Sequence, residues 1–447
     1  MEAKLPNGWI ETDSCNLFDQ HRGLNYKKHQ AFSFKSEGDV LVLRGGNIQD
    51  GKITNSKDDV YVSKNLVKHT QLIREGDVII VSSTGSKKLI GKAAHSETDD
   101  PTTTFGAFLT LLRPKSFINS KYFDYFYQTD FYRESIRELS GGININNIRK
   151  DHLAQIKFPL PPLTEQKRIV AKLDSIFGHL DELKTKLDRI PKLLKNFRQQ
   201  VLTQAVTGKL TEEWREGKGL EWEIIPFGEI MEGTPKNGAY YPRSQYGSGT
   251  RIIRIDAFYD GYIKDWDSLQ RVSIPDSDLQ IYGIEIDDII VNRVNSMDYL
   301  GKCMLVEELT EPTIYESNMM RIKLMKKKVL PKYARIFLIS PVGTKEIRKN
   351  AKQAVNQASI NQHDVKSIYF NLPELAEQEE IIRRVDGLVD YIKSIEYQYK
   401  SVKAKIENLP QAILNKAFKG ELVPQDPNDE PASGLLKRIQ KEKVGKK

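Results

Sequence analysis

From Ile169 onward the apolar positions fall at alternating steps of four and three: Ile169, Leu173, Ile176, Leu180, Leu183, Leu187, Ile190, Leu194, Phe197 and Val201. A second run repeats the pattern at a shift of 212 residues (Ile169 to Ile381): Ile381, Val385, Leu388, Ile392, Ile395, Tyr399, Val402, Ile406, Leu409 and Ile413. Polar and charged side chains fill the positions between. A seam of this period, sustained over ten apolar positions, predicts two long helices with coiled-coil packing. Two copies in one chain make an intramolecular, antiparallel pair the economical arrangement. About 40 residues at 1.5 Å each give a rod of roughly 60 Å.

The residues that open and close the two helices also repeat. Leu160/Leu372, Pro161/Pro373, Leu163/Leu375, Glu165/Glu377, Gln166/Gln378 and Asp174/Asp386 are identical pairs, as are Gly208 and Gly420 at the far ends. The prolines exclude strand pairing, Thr164 is placed to cap the first helix, and the glycines suit a left-handed C-terminal cap. Pro191 and Pro410 interrupt the helical pattern, which predicts a kink or a break at each. Weaker echoes reach into the flanking segments: Trp9 answers Trp222, and LRGGNIQDGKI from Leu43 answers IRIDAFYDGYI from Ile253. The predicted order is globular, helix, globular, helix. In residue numbers this is a first globular domain at 1–158, a central helical region at 159–210, a second globular domain at 211–370, a distal helical region at 371–423 and a tail at 424–447. The tail is expected to return beside the first domain.

Outside the helices the pattern shortens. VLVLRG, DVIIVSS and AFLTLLRP in the first half, and RIIRIDAF, DDIIVNRV and MMRIKLM in the second, are brief apolar runs between Gly, Asn and Asp turns. They read as strands. Helical stretches close each half, so the fold class is α+β: two globular α/β domains separated by two long antiparallel coiled-coil helices, with an internal pseudo-twofold repeat.

Polar loops in both halves carry the side-chain types that read base edges, Arg for guanine and Asn or Gln for adenine. The first half offers Arg44, Asn47, Ser83, Thr84, Lys87, Lys88, Asn144, Asn146, Asn147 and Arg149. The second offers Arg254, Asn292, Arg293, Asn295, Lys352, Asn356, Gln357, Asn361 and Gln362. Each alone is an ordinary turn or capping residue, and only the matching location in both halves points to a shared task. Arg44 and Arg254, common to both halves, suit a structural or phosphate role better than discrimination.

Composition narrows the classes. The 447 residues carry 68 Lys and Arg against 60 Asp and Glu, a formal charge of +8 that is compatible with nucleic acid without requiring it. Cys15 and Cys303 stand alone, without the spacing of a zinc site or a disulfide framework, so a cytoplasmic location and no bound metal are expected. No apolar run is long enough to span a bilayer. The motifs of a Walker loop, a zincin, a nucleophile elbow or an amino-methyltransferase tetrapeptide are missing, and no enzymatic activity is expected.

At PLPPLTEQKRIVAKLD and LPELAEQEEIIRRVD, each followed by heptads, the chain resembles a type I restriction-modification specificity subunit, and the ending AFKGELVPQDPNDEPASGLLKRIQKEK is similar too. The resemblance covers essentially the whole chain. It implies two target-recognition domains, each reading half of an asymmetric bipartite site in double-stranded DNA, with the helical regions fixing the separation and binding two methyltransferase subunits. S-adenosylmethionine is then expected on the methyltransferase partners, and ATP and Mg on restriction subunits of the full complex; this chain binds no cofactor itself. Glu379 and Glu380 stand where the first helix has Lys167 and Arg168, which implies that the two partner surfaces differ. Two other readings fit the periodicity: a coiled-coil scaffold with two protein-binding heads, and a recognition subunit of another methyltransferase-linked defence system.

Overall fold

The first apolar seam forms two consecutive helices and the second forms one. A computed structural model describes residues 5–141, 146–258, 261–263, 265–355 and 357–444. In it a proximal helix, Leu163–Leu187, is followed after two turn residues by a short helix, Ile190–Val206, with Pro191 in its first turn. Proline lacks the N–H that an interior helical position requires, so the chain breaks before it and restarts with the proline where no donor is needed. The distal helix, Leu375–Phe418, behaves differently. It runs continuously through Pro410, so of the kink or break expected there a break does not occur. Gly208 and Gly420 take left-handed φ angles of 79° and 74°, as their positions past the helix ends require.

The chain divides into two compact units, residues 1–186 with 402–447 and residues 187–401. The distal helix therefore contributes its first part to the second unit and its last part to the first. In the first unit a six-stranded sheet runs in the order Phe18–Arg22, Leu109–Pro114, Val78–Val81, Ala93–His95, Gly51–Ile53, Ile48–Gln49. A three-stranded sheet has Asp39–Leu43 between Thr103–Phe105, parallel to it, and Val60–Ser63. The second unit repeats the plan in reduced form. Its four-stranded sheet runs Lys236–Asn237, Met319–Ile322, Ile289–Asn292, Cys303–Leu305, and its three-stranded sheet has Tyr246–Ile253 parallel to Thr313–Tyr315.

Each unit is closed where its helix begins. In the first, Ile10–Asp13 pairs antiparallel with Lys157–Leu160; in the second, Glu223–Pro226 pairs with Tyr369–Leu372. The shared glutamate and glutamine follow. Glu165 and Gln166 are buried: the Trp9 indole donates to Glu165 at 2.9 Å, the Asn119 N–H donates to Gln166 at 2.9 Å, and the Gln166 amide donates to the Pro161 carbonyl at 2.9 Å. In the second unit Trp222 donates to Glu377 at 2.9 Å, the Leu330 N–H to Gln378 at 2.7 Å, and Gln378 to the Pro373 carbonyl at 2.8 Å. The repeated Glu-Gln pair is therefore a buried lock between helix and domain, and each such bond is worth about 1 kcal/mol net and more to lose. Thr164 does not cap. It lies within the proximal helix, and its hydroxyl bonds Asp429, whose carboxylate also takes Arg168 at 2.6 Å.

Burial varies along the seam, and Leu194 and Ile406 are buried as well as the residues that follow. Ile169, Leu173 and Leu180 are buried in the first unit with Leu414 and Ala417, and Val201, Ile381, Val385 and Ile392 in the second. Ile176, Leu187, Leu388, Ile395 and Tyr399 are half-buried, while Leu183 is 45% exposed. Arg198 and Glu396 pair at 3.8 Å in the second unit. The tail returns as expected: the Ala432 N–H donates to the Gly8 carbonyl at 2.9 Å, and Ala432, Leu435 and Ile439 of the final helix, Ala432–Val444, pack into the first core.

Candidate nucleic-acid interface

In each unit two segments far apart in sequence meet as a small ribbon. Ser83–Thr84 pairs antiparallel with Asn146–Asn147, and Val294–Asn295 pairs with Gln357–Ser359, which pairs in turn with Lys352–Ala354. Both ribbons hang from the same kind of turn. The N–H groups of Ser82 and Ser83 donate to the Phe108 carbonyl at 2.9 and 3.1 Å; those of Arg293 and Val294 donate to the Asn318 carbonyl at 2.9 and 3.3 Å. On the other side Ile148 N–H reaches Ser82 at 2.8 Å, and Ile360 N–H reaches Arg293 at 2.9 Å. The structure thus joins candidate segments that the sequence separates by about sixty residues.

The candidates divide by exposure. Arg44, Lys87, Lys88, Asn147 and Arg149 are exposed in the first unit, and Lys352, Gln357 and Asn361 in the second. Ser83, Thr84, Arg254, Arg293, Asn295 and Gln362 are half-buried. The Lys88 carbonyl accepts from Arg133 at 2.7 Å, which pins the loop while leaving the ammonium to solvent. Arg149 donates through Nε to His152 at 3.1 Å, and burial together with that neighbouring cation holds the imidazole below its usual range, in the neutral form that accepts.

Three candidates face inward. Asn47 is buried, accepting from the Arg44 N–H at 2.8 Å and donating to the Thr54 carbonyl and the Asp59 carboxylate at 2.9 and 2.8 Å. Asn146 is buried and donates to the Thr84 carbonyl at 3.3 Å. Asn292 is wholly buried. The Asn47 and Asn146 amides fix loops, whereas the Asn292 amide has no hydrogen-bond partner among the described residues, and all three lie away from the exposed surface. Asn361 is exposed, yet its side chain caps the helix Gln362–Lys366, accepting from His363 and Asp364 N–H at 2.8 and 3.0 Å. Gln362 is likewise engaged, donating to the Pro235 carbonyl at 2.7 Å. Asn144 and Asn356 lie outside the described residues.

Sequence reasoning missed a cleft of about 1020 Å³ in the second unit, lined by Tyr240, Arg243, Tyr246, Arg254, Gln270 and Asn318 among others. Tyr240 is 80% exposed. The adjacent Tyr240-Tyr241 pair with Arg243 downstream was the one signal in the sequence, since aromatic and cationic side chains exposed together are costly unless they meet something. Among the described residues, no group of His, Cys, Asp and Glu is placed to hold a metal, and no helix is long and apolar enough to cross a membrane.

The family model described as the type I restriction modification DNA specificity domain matches residues 15–192 and again 220–405. The chain belongs to this family of type I restriction-modification specificity subunits. It is 36% identical to the type I restriction enzyme EcoKI specificity subunit of Escherichia coli K12, over 99% of this chain and 97% of that one. It is 35% identical to the StySPI specificity subunit of Salmonella potsdam over the same shares. Solved structures agree on the fold. A chain from a study of assembly and conformational transition of the type I system superposes with a TM-score of 0.67 at 18% identity, covering 94% of this chain and 99% of that one. The HsdS subunit from Thermoanaerobacter tengcongensis gives 0.61 at 18% identity, with the same coverage. As a specificity subunit the chain is a non-catalytic recognition component, and its duplicated family match coincides with the two ribbon-bearing halves.

Proposed function

We propose that each ribbon reads one half of an asymmetric bipartite site in double-stranded DNA, while the helices set the spacing and carry two methyltransferase subunits. The observation that carries this is the recurrence of one ribbon, hung from one turn, with unlike side chains: Ser83, Lys87, Lys88, Asn147 and Arg149 against Asn295, Lys352 and Gln357. A common frame with different polar tips suits two different half-sites. S-adenosylmethionine would act on the methyltransferase partners, and ATP with Mg on restriction subunits of a full complex. A net charge of +8 spread over 447 residues is thin for a lone DNA clamp, so firm binding falls to the assembled complex. Methylome sequencing of cells with and without the gene tests this reading. A split adenine-methylation motif should vanish with the gene, and its persistence would refute the proposal.

A further inference from the structure

Arg254 is held unlike any other candidate. It follows the strand Tyr246–Ile253, and its guanidinium lies over the Tyr246 ring at 5.6 Å from the centroid. Its Nε stands 3.4 Å from the Glu316 carboxylate, and its Nη1 donates to the Gln270 amide oxygen at 2.7 Å. Glu316 is itself fixed, 9% exposed and accepting from the Ile255 N–H at 2.8 Å. A guanidinium has five donors; Gln270 takes one and Nε is buried against Glu316, which leaves the remaining three on Nη1 and Nη2. The rest of the fork belongs to the cleft, beside the turn at Ser317 and Asn318 from which the ribbon hangs.

Arg44 occupies the corresponding place in the first unit, after the strand Asp39–Leu43. There the chain bridges Leu24 to Gly106 where the second unit bridges Ala239 to Glu316. The clamp carboxylate is replaced by a glycine, and the Arg44 guanidinium turns to the Asp58 carbonyl. The clamp therefore belongs to what distinguishes the two units.

We infer that Arg254, against the structural or phosphate role its match with Arg44 suggested, is the guanine-reading residue of the second unit, an inference that rests on the proposed function. A phosphate brought to Arg254 would also meet Glu316, fixed against that guanidinium, although Arg243 and Arg271 line the same cleft and Asp267 is paired with Arg251. Like charges about 5–6 Å apart at an effective dielectric near 20 repel by about 3 kcal/mol. A neutral edge with two acceptors meets no such repulsion, and in the major groove guanine presents that pair, O6 and N7. Ring stacking and the carboxylate hold the fork in one orientation, which favours a bidentate contact over a mobile point charge.

The test is methylome sequencing of cells carrying the full complex with the natural chain, Arg254→Ala or Arg254→Lys, with thermal melting of each purified complex. The half-site that changes when residues 222–370 are exchanged should contain a G·C pair, and both variants should lose ten- to a hundredfold discrimination at that position alone. Arg254→Lys keeps a cation beside Glu316 but not the fork, so it separates lost reading from lost folding. A half-site without a G·C pair overturns the inference. So does an unchanged motif methylated more weakly everywhere, or relaxation in the other half-site. If the natural chain directs no split motif at all, the proposed function itself fails and this inference with it.

Discussion

The two shared glutamates offer the sharpest test of the packing, because the units surround them differently. Glu377 accepts from Trp222 at 2.9 Å, from the Thr211 hydroxyl at 2.6 Å and from the Arg215 guanidinium at 2.6 Å, all around a buried carboxylate. Glu165 accepts from Trp9 at 2.9 Å and from the neutral Gln425 amide at 3.2 Å, and burial raises its carboxyl above the ordinary range. Replacing Glu377 by Gln removes a charge-assisted bond worth about 1.5–3 kcal/mol and turns an NH2 toward donors that need an acceptor. The expected cost is about 3 kcal/mol. Replacing Glu165 by Gln removes a partly disfavoured charge; the remaining amide oxygen can still accept from Trp9, and Gln425 keeps its 2.7 Å bond to the Gly420 carbonyl. That cost should stay below about 1 kcal/mol.

For units of 150–250 residues each kcal/mol moves the melting temperature by about 2–4 °C. Glu377→Gln should therefore lower the melting of the second unit by roughly 6–12 °C, and Glu165→Gln that of the first by less than about 4 °C. Differential scanning calorimetry of the full chain measures the shifts, and hydrogen exchange assigns each transition to a unit. Arg215→Met should cost less in the Glu377→Gln background than in the natural chain, since the ion pair is already broken and the guanidinium's bond to the Gly208 carbonyl and its stacking on Trp222 remain to be lost. Equal shifts for the two glutamine variants, or a larger one for Glu165, would refute the reasoning.

Leu180→Asp buries an unpaired carboxylate and should destabilise the first unit by several kcal/mol, whereas Leu183→Asp, at a position 45% exposed, should leave melting within about 1 °C and test only partner binding by co-purification with the methyltransferase. Exchanging residues 222–370 for those of a relative should yield a folded chain with one altered half-site in the methylome, because Glu223–Pro226 and Tyr369–Leu372 are paired neighbours and the cut ends meet. Asp124, whose carboxyl burial raises to about 7, binds its proton more tightly folded than unfolded, so its presence costs stability as pH climbs from about 4 to 7. Asp124→Asn should keep the 2.9 Å bond from Gln128, and its melting advantage should grow from pH 5 to pH 8, reaching about 1–2 kcal/mol once screening at a half-buried site is allowed for. A constant advantage across that range would contradict it.

Periodicity was enough for the long helices, and the shift of 212 residues was enough for the duplication, because both depend on patterns that survive along the chain. The break near Pro191 was equally legible. Continuity through Pro410 was not, since a proline inside a helix is tolerated only when packing outweighs the lost bond, and Leu414 and Ala417 supply that packing from a core no local window reveals. The candidate ribbons were legible as matching polar segments. Which amides point outward was not: Asn47 and Asn147 have the same chemistry, and only the tertiary partners Thr54 and Asp59 turn the first inward. The cleft around Arg254 escaped because its members come from separate strands and turns, and their polar side chains resemble ordinary loop composition.

Lys167 and Arg168 at the start of one long helix are answered by Glu379 and Glu380 at the start of the other, but half of those charges are already neutralised within the chain. Arg168 is paired with Asp429 at 2.6 Å, and Glu380 is held by Arg383 and Arg384 at 2.7 and 2.6 Å. Those neighbours keep the Glu380 carboxyl down at about 2. What remains to face a partner is Lys167 in one unit and Glu379 in the other, both exposed. A single exposed charge is worth about 0–1 kcal/mol in an ion pair. Under the proposed function, two copies of one methyltransferase can therefore dock on the two helix starts with affinities within about tenfold. The difference between the units then falls on the ribbons and on the Arg254 clamp, where one half has a glycine and the other a glutamate.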